Sequence, residues 1–214
     1  MLNLITKRLI IKSHTLENLE KINEWFNDKE LLYFEDDQED IINPVTLDET
    51  QKFLENIINS QSDIKVINYA IHRKLETQLI GHGKITCIDY YNKRCKISIT
   101  IGNKKNWGKG YAKETLIAII EYCFKNLKLN RIGAEIFSFN KRSISLFESL
   151  NFNREGIIHQ YVFKKGRFFD EYRYGLLISD WEKKKNHENL EGYRSFKNLY
   201  YKGGDLMITK NNSP

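Results

Sequence analysis

Proline is nearly missing from this chain of 214 residues: only Pro44 and the terminal Pro214 are present. The chain also lacks a Gly/Ser linker and any internal repeat, which excludes the common ways of joining two domains. One domain is therefore expected, because 214 residues suffice for one well-packed core. Cysteine is scarce as well. Cys87, Cys95 and Cys123 are odd in number and have no metal-ligand spacing, which argues against a disulfide framework or a zinc site. Each lies in an apolar segment and reads as a reduced core thiol of a cytoplasmic protein. Long hydrophobic runs are absent, none approaching the roughly 20 residues that cross a bilayer. Met1 to Arg8 lacks a signal-peptide pattern, so a cytoplasmic protein with no membrane partner is expected.

Basic residues are lacking from one stretch. Residues 28–49 hold nine acids (Asp28, Glu30, Glu35, Asp36, Asp37, Glu39, Asp40, Asp48, Glu49) against Lys29 alone. The net charge is +6 and this stretch carries −8, so the rest of the chain carries +14. Such basicity can mark a nucleic-acid binder. Here the lysines are scattered and no nucleic-acid-binding motif occurs. A solvated surface plus a pocket for an anion accounts for the charge better.

What is present is a glycine turn. Asn106-Trp107-Gly108-Lys109-Gly110-Tyr111-Ala112 lies between an alternating segment (Ile97, Ile99, Ile101) and a helical one running from Leu116 to Leu127. Two glycines one residue apart at a strand-to-helix junction let the backbone turn tightly and approach a ligand. The first helical amides then point outward without partners, where the helix dipole favours negative charge. Lys105 and Lys109 add positive charge, so a phosphate or pyrophosphate site is expected. Gly-X-Gly before a helix is also the sequence of a plain turn. The stretch is neither a Walker loop nor the three-glycine dinucleotide fingerprint.

Hydrophobic periodicity orders the elements. Arg8 to Lys12 reads as a strand, Thr15 to Phe26 as a helix with Thr15 as N-cap, and the acidic stretch as a loop. Thr46 or Asp48 caps a second helix through Ile58. Val66–His72 and Leu79–Asp89 form a hairpin, and Lys93–Ile101 is the fourth strand. After the helix Tyr111–Leu127 come a fifth strand Arg131–Phe137 and a short helix Lys141–Leu150 capped by Asn140. Phe152–Phe163 and Phe168–Ile178 form a last hairpin. Residues 183–214 are a polar tail whose Leu190, Phe196, Leu199 and Tyr200 form either a docking helix or a partner surface.

Four stretches together resemble the GNAT superfamily of acyl-CoA-dependent N-acyltransferases, in its RimJ/RimL-type branch. They are Thr6-Lys7-Arg8-Leu9-Ile10-Ile11, Trp107 to Ala112, Asn140-Lys141-Arg142-Ser143 with Leu146 to Phe152 and Glu155-Gly156, and Gly166, Asp170 and Tyr172 to Trp181. The match runs from about residue 5 to 182 and leaves the tail uncovered. The resemblance implies an α+β fold: a twisted, mostly antiparallel sheet of about seven strands, splayed between the fourth and fifth and flanked by helices. It implies acetyl-CoA as cofactor and residues 1–182 as the N-acetyltransferase domain. Ile99, Thr100 and Ile101 would pair with the pantetheine arm as a peptide pairs with a sheet edge. The Lys105–Ala112 loop (Lys105, Asn106, Trp107, Gly108, Lys109, Gly110, Tyr111, Ala112) would hold the pyrophosphate, with Asn140, Ser143 and Phe147 beside the cofactor. No metal is implied.

Acetyl transfer to a primary amine by direct attack in a ternary complex needs four things. They are loss of the ammonium proton, an oriented thioester, donors for the oxyanion such as a fourth-strand amide, and a proton for the leaving thiolate. Many relatives use a tyrosine as acid where this chain has Phe147, which has no proton to give. The branch resemblance points instead to Ser143. Relatives often place a glutamate where Lys96 stands, so the base becomes Glu135 or a water chain, with His82 and His159 as further candidates. The acidic stretch suggests a cationic acceptor, polyamine or aminoglycoside-like, met by Tyr33, Glu35 and Asp36; a solvated acidic loop is the alternative reading. A ribosomal or other protein N-terminus, an amino sugar, and a non-catalytic acyl-CoA-binding or RNA-binding module remain open. So does a homodimer through the last strands or the tail.

Overall fold

The computed structural model describes residues 2–35, 43–59, 65–187, 199–202 and 205–208. The chain begins with a hairpin, β1 (Asn3–Ile5) and β2 (Leu9–Lys12), closed by Thr6, whose amide donates to the Leu9 carbonyl at 2.9 Å. Three helices follow: α1 (Leu19–Phe26), α2 (Lys29–Glu35) and α3 (Leu47–Asn59). Then come β3 (Ile67–Arg73), β4 (Leu79–Asp89), β5 (Arg94–Thr100), α4 (Tyr111–Lys125), β6 (Arg131–Phe137), α5 (Lys141–Glu148), β7 (Asn153–Lys164), β8 (Arg167–Leu177) and α6 (Ile178–His187). A separate hairpin, β9 (Leu199–Lys202) and β10 (Asp205–Ile208), lies in the tail.

The eight strands β1 to β8 form one sheet in the order β1-β2-β3-β4-β5-β6-β8-β7. Every neighbouring pair is antiparallel except β5 and β6, which run parallel. That pair is short: it joins Arg94–Lys96 to Arg131–Gly133 and stops. Beyond Lys96, β5 follows β4 as far as Thr100 opposite His82, while β6 follows β8 to Phe137 opposite Glu171. The sheet thus forks, and the edge of β5 from Ile97 to Thr100 faces the gap. Alternation explains which residues line the fork. Cys95 and Ile97 are buried, whereas Ile99 and Ile101 are only partly covered because β6 has diverged there.

Each face of the sheet has its own apolar cluster. On one, Leu116, Ile119, Ile120 and Cys123 of α4 pack with Leu9, Ile11, Ile71, Ile85, Ile97 and Ile132. On the other, Ile22 and Trp25 of α1, Leu31 of α2 and Leu54 of α3 pack with Ala70 and Leu79. The expected α+β class and the splay between the fourth and fifth strands are present.

Several expectations need correction. The sheet has eight strands because Asn3–Ile5 adds an edge strand. Part of the acidic stretch is not loop but α2, held because Leu31 buries itself in the second cluster. The first helix opens with a short 3₁₀ turn, Leu16–Asn18, and the Thr15 amide donates to the Asn18 side chain at 3.2 Å. In the tail, Leu199 and Tyr200 lie on a strand rather than a helix, and Leu190 and Phe196 fall outside the described residues. Cys95 and Cys123 are buried free thiols with sulfurs 3.8 Å apart, but Cys87 is exposed, at an irregularity of β4 where its φ is +51°.

Candidate functional site

The glycine turn is built for close approach. Gly108 and Gly110 have φ of +72° and +78°, the left-handed region that side chains disfavour. Gly110 is the N-cap of α4, and the first intrahelical bond runs from the Glu114 amide to the Gly110 carbonyl at 3.0 Å. The amides of Tyr111 to Lys113 precede that bond and so lie at the open end of the helix. Upstream, the Asn103 side chain accepts from the Lys105 amide at 3.1 Å, and the Trp107 indole donates to the Ile101 carbonyl at 2.5 Å. The loop is therefore fixed at its strand end.

It is fixed on a second side by residues the sequence did not flag for this role. Arg8 Nη1 donates to the Lys109 carbonyl at 2.9 Å, and Arg8 Nε meets Glu114 at 2.6 Å. The Arg8 amide and the Thr6 hydroxyl donate to the same carboxylate, at 2.8 Å and 2.5 Å. The Thr6-Lys7-Arg8 motif thus clasps the loop to the first strands, a long-range role with no local signal.

From this turn a cleft of about 1390 Å³ runs along the fork to His14 and Phe26. Pockets for single small ligands are roughly 300–1,000 Å³, so this cleft has room for two molecules at once. Ile99, Thr100, Ile101, Asn106, Trp107, Gly108, Gly110, Tyr111, Ala112, Asn140, Ser143 and Phe147 all line it. Lys105 and Lys109 do not. They are exposed, and the described cations that line the cleft are instead Lys84 on β4 and, near the turn, Lys113, Lys141 and Arg142, the last stacked 4.7 Å above Trp107. Asn140 caps α5 by accepting from the Ser143 amide at 3.1 Å. The cap uses the amide of Ser143, not its hydroxyl. Phe147 is 3% exposed and packs edge-on against Phe152.

Beyond the fork the wall changes character. Glu135 lines the cleft but is bound by two cations: Lys96 at 2.6 Å and Arg173, which in turn lies 2.8 Å from Glu171. Phe34, Glu35 and Phe137 line the same region. Tyr33 is not among the lining residues; its ring is tilted against Phe139 at 4.7 Å, with Lys165 4.7 Å above it. Asp36 lies outside the described residues. The described acids of the stretch, Glu35 excepted, are engaged elsewhere. Asp28 and Glu30 both bind Lys104 at 2.8 Å, Asp48 binds Lys52, and Glu49 caps α3 through Thr46. His159 is exposed and pairs with Asp170, away from the cleft.

His14 and His82 line the far end, with ring centroids 6.4 Å apart and His82 stacked on Trp25. Burial pushes both down to about 4 from 6.5. Above 6.5 they are neutral whether folded or not. As the pH falls from 6.5 toward 4, the unfolded chain takes up protons that the folded one resists, so stability falls with pH. Urea unfolding at pH 7 and at pH 5 should differ by up to about 2 kcal/mol per histidine. His82→Gln should remove the His82 share of that difference and leave the His14 share; an equally steep profile in the variant would remove His82 from this account.

The comparisons with known proteins converge on one family. The model of the acetyltransferase (GNAT) domain matches residues 8–153. An uncharacterized N-acetyltransferase of Bacillus licheniformis, p20, is 31% identical over 85% of this chain and 99% of its own. The ribosomal protein uS5-alanine N-acetyltransferase of Escherichia coli is 35% identical over 41% of this chain and 44% of its own. In fold, the spermidine N-acetyltransferase of Vibrio cholerae in complex with CoA and spermine superposes with a TM-score of 0.71 at 22% identity, covering 81% of this chain and 98% of that one. With a forked sheet, a glycine turn at the start of α4 and a family match over most of its length, this chain belongs to the GNAT acetyltransferases and is an acetyl-CoA-dependent N-acetyltransferase.

Proposed function

We propose that this enzyme acetylates the primary amine of a small cationic acceptor, polyamine or aminoglycoside-like, by direct attack within a ternary complex. The observation that carries this reading is the two-part cleft. One end is a turn of open amides with Lys113, Lys141 and Arg142; the other is a wall of aromatic rings and carboxylates (Phe34, Phe137, Glu35, Glu135, Glu171). The first suits a pyrophosphate, and the second suits an ammonium group.

Acetyl-CoA fits the first end. The unpaired edge of β5 from Ile97 to Thr100 can receive the pantetheine amides, with Ile99, Thr100 and Ile101 along the arm. Backbone amides from Gly108 to Ala112 hold the pyrophosphate, those of Asn106 and Trp107 being engaged by the Asn103 and Lys104 carbonyls, while Asn140 and Phe147 border the cofactor. The cofactor supplies an acetyl thioester at the fork. Ser143, at the start of α5, gives its hydroxyl proton to the departing sulfur, a step Phe147 lacks the group to perform. Wall carboxylates hold the acceptor and take its proton. Among the described residues, those that line the cleft fall between His14 and Glu171, which supports residues 1–182 as the catalytic unit and 183–214 as an appendage.

A second reading, acetylation of a protein N-terminus, is supported by the Escherichia coli relative. Thiol release from acetyl-CoA against polyamines, aminoglycosides, amino sugars and basic N-terminal peptides separates the two. Turnover with polyamines or aminoglycosides is the expected result. Turnover with peptides alone replaces the first reading by the second. With the accepted amine, Ser143→Ala should lower kcat about 100-fold while leaving KM for acetyl-CoA nearly unchanged. An unchanged kcat takes Ser143 out of the chemistry.

A further inference from the structure

Four charged side chains form a chain across the acceptor side of the fork. Lys96 on β5 binds Glu135 on β6, Glu135 binds Arg173 on β8, and Arg173 lies 2.8 Å from Glu171 two residues before it. The two carboxylates are not equivalent. Glu135 has a cation on either side. Among the described residues Glu171 has Arg173 alone as a paired cation, and that contact is not aligned as a hydrogen bond: neither Glu171 Oε1 nor Arg173 Nε has a hydrogen-bond partner there. Glu171 is also the more buried, at 5% exposure, and lines the cleft in register with Phe137 of β6. Its neighbour on β7 is the apolar Ile158, and among the described residues Glu35 of α2 is the remaining carboxylate that lines the cleft.

We propose that Glu171, rather than Glu135, is the base that removes the acceptor's proton, and that Lys96, Glu135 and Arg173 set its readiness to do so. This rests on the acetyltransfer reading above. The acceptor arrives as an ammonium ion and gives one proton to Glu171, directly or through one water. The freed nitrogen lone pair forms the C–N bond with the acetyl carbon. The C–S bond breaks with its electron pair leaving on sulfur, which takes a proton from Ser143. The new amide nitrogen loses its extra proton, which restores the Ser143 hydroxyl, and Glu171 returns its proton to solvent. The net yield is amide, free thiol and one proton.

Burial raises the Glu171 carboxyl above the usual glutamate range, with Glu135 adding to the rise and Arg173 and Lys96 opposing it. A base closer to working pH is more effective. The same charges give signed tests. Lys96→Gln removes a cation and leaves Glu135 less neutralised; both effects raise Glu171. Glu135→Gln removes a like charge and frees Arg173 for Glu171; both effects lower it.

The experiment is kcat/KM against pH for the wild type, Glu171→Gln, Glu171→Asp, Glu135→Gln and Lys96→Gln, with acetyl-CoA affinity measured by calorimetry for each. The expected result is a kcat about 100-fold lower in Glu171→Gln, with acetyl-CoA affinity retained and partial recovery in Glu171→Asp. The acid limb should move by about one pH unit, upward in Lys96→Gln and downward in Glu135→Gln. Full activity in Glu171→Gln overturns the proposal, as does an acid limb that stays put in both charge variants. If Glu171→Gln loses acetyl-CoA binding through misfolding, Glu171→Asp and the two limb shifts decide. A wild type that binds acetyl-CoA but releases no thiol with any amine sinks the acetyltransfer reading itself, a result distinct from all of these.

Discussion

Gly108→Glu should abolish measurable acetyl-CoA binding while leaving the protein folded. The two halves of that expectation have separate causes. Gly108 has φ +72°, but a Cβ built there has nothing within 4 Å. The substitution therefore introduces no clash, only the roughly 1–2 kcal/mol of a side chain held in the left-handed region. At the ligand the effect is much larger. The carboxylate would stand at the open end of α4, where the amides and the helix dipole favour an anion. It would repel the pyrophosphate and compete for the same amides. Losing two charge-assisted hydrogen bonds costs about 3–6 kcal/mol, roughly 100-fold to 10⁴-fold in affinity. Gly108→Ala is the companion variant: it carries the backbone strain without the charge, and its affinity should fall by about tenfold at most. Calorimetric titration with acetyl-CoA checks both. If the glutamate variant binds within a few-fold of wild type, the turn is only a turn and the cofactor assignment is wrong.

Much of the glycine-turn half of the cleft was legible because its signals are local. A left-handed turn demands glycine, a helix start needs a cap, and an alternating strand shows its period, so Gly108, Gly110, Asn140 and Ile97 to Ile101 could be read one by one. The forked sheet followed from the order of those motifs and the family they resemble. What stayed hidden depends on which distant side chains meet. Arg8 and Glu114 are 106 residues apart yet share two hydrogen bonds. Lys105 and Lys109 looked like the cations of the site because they flank the glycines. The turn carries them outward, and Arg142, from α5, takes the place beside Trp107.

The wall beyond the fork shows the same limit more strongly. Counting acids from 28 to 49 could not reveal that Asp28 and Glu30 bind Lys104, or that Glu49 serves a helix cap. Lys96 looked like the loss of a catalytic carboxylate. In the structure it is one end of a charged chain that reaches Glu171 through Glu135 and Arg173. Glu171 had no sequence signal at all: it is one acid in a strand of mixed character, and only burial at the fork distinguishes it. Leu31 illustrates a further miss in the fold, since its burial accompanies a helix, Lys29–Glu35, in part of the expected acidic loop.

Trp181→Ala should be the most destabilising single change in the closing segment. Trp181 sits on α6 at 1% exposure, and its indole donates to Glu121 of α4 at 2.7 Å. Glu121 is itself 5% exposed and also pairs with Lys125. Truncation therefore does two things. It opens a cavity where a large ring was packed, at about 3–5 kcal/mol, and it removes a hydrogen bond from a buried carboxylate, a further 1.5–3 kcal/mol or so. Domains of this size are stable by only about 5–15 kcal/mol, so the variant should lie near the edge of folding. Its melting temperature should fall by about 10 °C or more. Trp181→Phe separates the two effects by keeping most of the apolar volume and losing only the indole donor. Because Trp181 does not line the cleft, the folded fraction of either variant should retain wild-type kcat. Urea unfolding monitored by circular dichroism gives the comparison. A loss under about 1 kcal/mol in Trp181→Ala would mean that α6 lies on the surface of the domain rather than closing it. The catalytic unit would then end with β8, before the helix on which Trp181 stands.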